Sequence, residues 1–158
     1  QDVSHDDDCD SSCTSLNAIH LFHGVIIMKE YMQPKWWLTG VGAIFTLLTL
    51  LTYAEVMNAA EAGWGADYTA NDAFYEKAWA ATYLIVAIIC VVSGQFVEGR
   101  SQAILAMTIG GGNILNFILV FLAAGDLEYG FTENPANWAL PMICATGLLV
   151  SGYLHLED

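Results

Sequence analysis

The sequence predicts an all-α integral membrane protein: four transmembrane helices in an antiparallel bundle, preceded by an N-terminal amphipathic helix at the membrane interface. Hydrophobic residues make up 56% of the 158 residues and charged residues only 13%, against about 25% charged in soluble domains. The charges are also segregated, leaving uncharged runs at 36–54, 78–97, 101–125 and 134–156, which are 19, 20, 25 and 23 residues long. A bilayer core takes about 20 apolar residues of helix to cross. Four runs of that length leave too little polar chain to cover them as buried helices of a soluble domain.

Residues 1–15 are acidic and serine-rich, with Asp6, Asp7 and Asp8 in succession, and read as an exposed irregular tail. From residue 16 to 33 the pattern changes. Leu16, Ile19, Phe22, His23, Ile26 and Ile27 share one helical face, and Ser12, Thr14 and Ser15 are candidate caps. The segment is too short to span and carries Lys29 and Glu30 near its end, which fits an amphipathic helix lying in the interface. Gln33-Pro34 breaks it, because proline disfavours a helical residue before it.

The transmembrane domain follows as residues 34–158, with spans at about 36–54, 78–97, 101–125 and 137–155. Lys35, Trp36 and Trp37 open the first span with a basic and aromatic anchor suited to the headgroup level. The 55–77 connection carries Trp64, Tyr68, Phe74 and Tyr75; so aromatic a loop is expected to fold against the membrane or a neighbour. Glu98-Gly99-Arg100 is short enough to make the second and third spans a hairpin. Gly40, Gly42, Gly110, Gly111, Gly112, Gly147 and Gly152 mark the first, third and fourth spans, where small residues let helix backbones approach. Lys29, Lys35 and Arg100 fall on the side of the termini and Lys77 on the other, so the positive-inside rule puts both termini in the cytosol, stroma or matrix. A start at Gln1 rather than Met suits a chain processed on export or organelle import.

Charge excludes several functions. Seventeen Asp and Glu against four Lys and Arg give a net charge of −13, the opposite of the basic surface that nucleic acid requires, and no polybasic patch is present for anionic lipid. No Asp, Glu, Lys, Arg or His sits within about five residues of the centre of any span, where pumps and ion-coupled carriers place them. A small channel or carrier is therefore the weaker alternative. Ser93 and Ser101 have no histidine at matching depth and no G-x-S-x-G is present, so a membrane hydrolase is not expected.

Two residue sets carry candidate chemistry. Cys9, Cys13, His20 and His23 are spaced C-x3-C-x6-H-x2-H, and two thiolates with two imidazoles form a natural tetrahedral zinc set. A small metal or redox protein is the alternative function they would support, although the gap between the pairs is shorter than in zinc fingers. Cys90 and Cys144 lie in different spans and read as small buried hydrophobes. The second set is Gln95, Asn113 and Asn116, amides within apolar runs. An amide in lipid needs a partner, either another helix or a bound group. With His20, His23 and His155 they form the pool of candidate ligands to a pigment such as chlorophyll, whose magnesium accepts an amide or imidazole.

The Cys-Cys-Gly of tetraspanins and the tryptophan and paired cysteines of claudins are missing from the 55–77 loop, and the paired Glu and Arg of the chlorophyll-binding antenna helices have no equivalent. The expectation is a non-catalytic accessory subunit of a larger photosynthetic or respiratory membrane complex. It would sit in a thylakoid or mitochondrial inner membrane, or in the plasma membrane of a halophile, contacting other membrane subunits, lipids and pigments. Neighbours are expected against residues 16–32 or 64–75.

Overall fold

A computed structural model of the chain describes residues 27–125 and 129–158. Residues 27–31 are helical and belong to a unit separate from residues 32–158. The acidic tail, residues 16–26 of the expected interfacial helix, and Cys9, Cys13, His20 and His23 lie outside the described residues. Among the described residues there is no strand, and four helices are long and apolar enough to cross a membrane. The chain is an all-α protein with the character of a multi-pass integral membrane protein.

The helices are α1 (Pro34–Tyr53), α2 (Ala59–Trp64), α3 (Ala70–Phe96), α4 (Gly99–Ala124), α5 (Gly130–Glu133) and α6 (Pro135–Leu154). Pro34 takes the first position of α1, where its missing N–H costs nothing. The helix α1 ends at Tyr53, just before Glu55 turns into the left-handed region at φ 59°. Gly99 opens α4 at φ 60°, a conformation glycine adopts without strain, and this lets two residues reverse the chain between α3 and α4. The helix α6 runs through Pro141, which removes one intrahelical hydrogen bond.

The second span begins earlier than its apolar run. Thr69 caps α3 in a capping box, its hydroxyl accepting from the Asp72 N–H while the Asp72 carboxylate accepts from the Thr69 N–H. The helix is therefore 27 residues long, about 40 Å at 1.5 Å per residue, against a hydrocarbon core of about 30 Å. Its first two turns precede the uncharged run and carry Asp72, Glu76 and Lys77.

The four long helices alternate in direction but pack as two close pairs, α1 with α3 and α4 with α6. Reciprocal glycines make each seam. A Cβ on Gly42 of α1 would stand 2.7 Å from the Ala87 carbonyl of α3, and one on Gly94 of α3 would stand 3.0 Å from the Thr39 N of α1. In the other pair, a Cβ on Gly110 of α4 would meet the Ala145 carbonyl at 2.6 Å, and one on Gly152 of α6 would run into the Ala103 carbonyl. Without side chains at these positions the backbones approach and gain dispersion contacts. The pairs join through a core of Leu38, Val41, Phe45, Ala87, Cys90, Ala106, Cys144 and Leu148, with the Trp37 ring lying over Gly147.

Candidate functional site

The helices α3 and α4 follow one another in sequence yet give their closest packing to other partners. An open crevice of about 380 Å³ therefore lies between them, lined from α3 by Trp79, Thr82, Tyr83, Val86 and Ile89 and from α4 by Thr108, Ile109, Gly112, Asn113 and Asn116. The walls are largely apolar. Gly112 leaves open space where a side chain would be, and Thr108 one turn before it turns its hydroxyl back to the Ile104 carbonyl at 2.8 Å.

Two of the three candidate amides, Asn113 and Asn116, meet here. The Asn116 Nδ2 donates to the Tyr83 hydroxyl at 3.3 Å, and Tyr83 meets Phe45 edge-on at 5.2 Å and Trp79 in a tilted contact at 5.6 Å. The Asn113 Nδ2 donates to the Ile109 carbonyl of its own helix at 2.8 Å. Its side-chain oxygen has no partner among the described residues, near the middle of a 26-residue helix. Gln95 stands elsewhere: its Nε2 donates to Thr39 Oγ1 at 2.9 Å and ties α3 to α1. His155 lies past the end of α6, its Nδ1 donating to the Ser151 carbonyl at 2.9 Å. The sequence gives no sign of this division, because which way each amide faces depends on helix rotation.

A second polar assembly was not foreseen in the sequence. At the loop end of the bundle, Glu76 Oε1 accepts from the Trp64 indole N–H at 3.0 Å and from the Tyr129 hydroxyl at 2.9 Å. Trp64 and Tyr129 lie ring to ring at 4.8 Å, and Gly63 leaves room for both Tyr129 and Glu76. Glu76 thus ties α2, α3 and the segment before α5 into one cap. Burial, with the Glu76 carboxylate beside it, pushes the Tyr129 hydroxyl far above the usual tyrosine range, so it stays protonated and keeps donating. Asn58 caps α2 by accepting from the Glu61 N–H at 3.2 Å, and Lys77 pairs with Glu55 at 3.0 Å. The aromatic 55–77 segment is folded in part against its own chain, while Phe74 and Tyr75 remain exposed.

Among the described residues, no group of three or more His, Cys, Asp or Glu is placed to hold a metal ion. Cys90 and Cys144 are buried free thiols in the shared core. Comparison with protein-family models, with curated proteins and with solved structures finds no match for this chain.

Proposed function

We propose that the protein is a non-catalytic accessory subunit of a larger membrane complex, and that the α3–α4 crevice receives a transmembrane helix of a partner subunit. The observation that carries this reading is the crevice lining. Thr108 and Gly112, one turn apart, leave it open, and Asn113, whose amide oxygen has no partner among the described residues, lines it. Membrane helices recognise one another through small residues that allow close approach and amides that hydrogen-bond across the contact. Only 17% to 33% of each span's apolar window is buried within the chain, so most of the helical surface is available to neighbours and lipid. Lys35 and Arg100 at the end where the bundle starts and finishes, with Lys77 at the other, support an orientation with that first end in the cytosol, stroma or matrix.

The unpartnered Asn113 oxygen also favours a second reading, in which it meets the magnesium of a chlorophyll-type pigment lying in the crevice. Purification from native membranes in mild detergent separates the two. Co-migration with larger subunits and no visible absorption supports the helix; co-purifying pigment absorption that Asn113→Leu removes supports the pigment. Gly112→Phe, whose Cβ would have nothing within 4 Å, is expected to fold and to lose co-migration. A wild-type chain that purifies alone and transports or turns over a substrate would refute the proposal.

A further inference from the structure

Two cavities meet at Glu76. The outer one, about 270 Å³, opens at the loop end and is lined by polar groups including Thr52, Glu55, Asn58, Tyr68 and Lys77. The inner one, about 190 Å³ and open on one side, lies against Phe45, Leu48, Tyr83, Phe117 and Phe131. Thr52, Ala59 and Glu76 line both. About 150 Å³ of apolar space is enough for a benzene-sized guest, and the inner space, mostly apolar in its lining, is larger. Apolar volume beside a polar vestibule is the complement of an amphiphile.

The head-group chemistry follows from the groups at the junction. Both donors that reach Glu76 go to Oε1, so Oε2 is left without a partner among the described residues. The described loop end carries Glu55, Glu61, Asp67, Asp72, Glu76 and Glu133 against Lys77 alone, and Lys77 already pairs with Glu55. A carboxylate or phosphate head would meet repulsion, whereas a head that donates hydrogen bonds would find a carboxylate oxygen open to it.

From this geometry we infer a binding site for a single-chain amphiphile whose head donates hydrogen bonds and bears no negative charge, the head at Glu76 and the tail in the inner cavity. The site is separate from the crevice and stands whether or not a partner helix fills that crevice. In the protein reconstituted in neutral lipid nanodiscs, eight-carbon chains ending in an amine, an alcohol or a carboxylate, each with a diazirine at the far end, test it. The amine and the alcohol are expected to label Phe45, Leu48 or Phe117, with the carboxylate weaker by about tenfold, the worth of one hydrogen bond to a charged group. Glu76→Gln keeps an acceptor oxygen for Trp64 and Tyr129 but removes the charge, and should bring labelling by the carboxylate up towards that of the alcohol. Leu48→Trp fills the inner cavity from the opposite wall and should abolish labelling by both. Equal labelling by the carboxylate, labelling confined to outward-facing residues, or labelling that survives Leu48→Trp would overturn the assignment. If Glu76→Gln loosens the cap, the head-group comparison in the wild-type chain and the Leu48→Trp result still decide.

Discussion

Replacing Gly110 by alanine tests the seam that holds α4 to α6. The new methyl would stand 2.6 Å from the Ala145 carbonyl oxygen and 2.6 Å from the Leu149 N, where ordinary contact begins at 3.4 Å. Both atoms are backbone, so no side chain can swing away and the helices must part. Overpacking of this kind costs about 1–3 kcal/mol, while alanine recovers about 1 kcal/mol of helix propensity over glycine. Gly112, two residues along the same helix, has nothing within 4 Å of its would-be Cβ. Gly112→Ala therefore carries only the propensity gain. The propensity term cancels between the two variants, leaving a stability gap of about 1–3 kcal/mol. Unfolding by dodecyl sulfate in mixed micelles measures it, read by maleimide labelling of Cys90 and Cys144, which are 0% and 3% exposed. Cys9 and Cys13 are first changed to serine so that only the buried thiols report. Equal midpoints for the two variants, or a more stable Gly110→Ala, would refute the glycine-seam account.

Other outcomes follow from the same geometry. Asn116→Leu should cost about 0.6 kcal/mol, the average worth of an interhelical hydrogen bond in lipid, whereas Asn113→Leu, which loses only a bond to its own helix, should leave the isolated chain's midpoint within about 0.5 kcal/mol of wild type. Glu76→Ala removes the shared acceptor of Trp64 and Tyr129 and should cost the cap about 2 kcal/mol, seen as faster hydrogen exchange in α2 and α5 with the α4–α6 seam unchanged. Hydrogen bonds from Thr69, the backbone N–H first and then the hydroxyl, hold the Asp72 carboxyl below its ordinary range. A depressed folded-state pKa gives stability that is present above the unfolded value of about 3.9 and is lost as pH falls through the folded one. Protection from exchange at the start of α3, corrected for the intrinsic rate at each pH, should therefore fall in acid, and Thr69→Ala should flatten that dependence.

The four spans were legible because lipid imposes a length and an apolar character that charge segregation displays directly. Rotation about each helix axis was not. The run Gly110-Gly111-Gly112 looks uniform in sequence, but at 3.6 residues per turn only Gly110 faces a neighbouring backbone tightly, and Gly112 faces open space. The same rotation separates Gln95, which binds Thr39 on α1, from Asn113 and Asn116 in the crevice. The start of α3 was missed for another reason. Thr69-x-x-Asp72 and Asn58-x-x-Glu61 are readable as cap signals, but the aromatic residues between them fitted a loop equally well. An apolar run that starts at residue 78 leaves Glu76 outside it, which hides the cap that Glu76 organises.

The central claim, that a partner helix occupies the crevice, is tested most directly by site-specific photocrosslinking in native membranes. A benzophenone amino acid replaces Thr108, which lines the crevice, and in a parallel chain Ile143, which faces outward from the middle of α6 and is 61% exposed. The account predicts a discrete crosslinked protein from position 108, lost when Gly112→Phe is added, and a weaker or lipid-only product from position 143. Lipid adducts alone from both positions would contradict it.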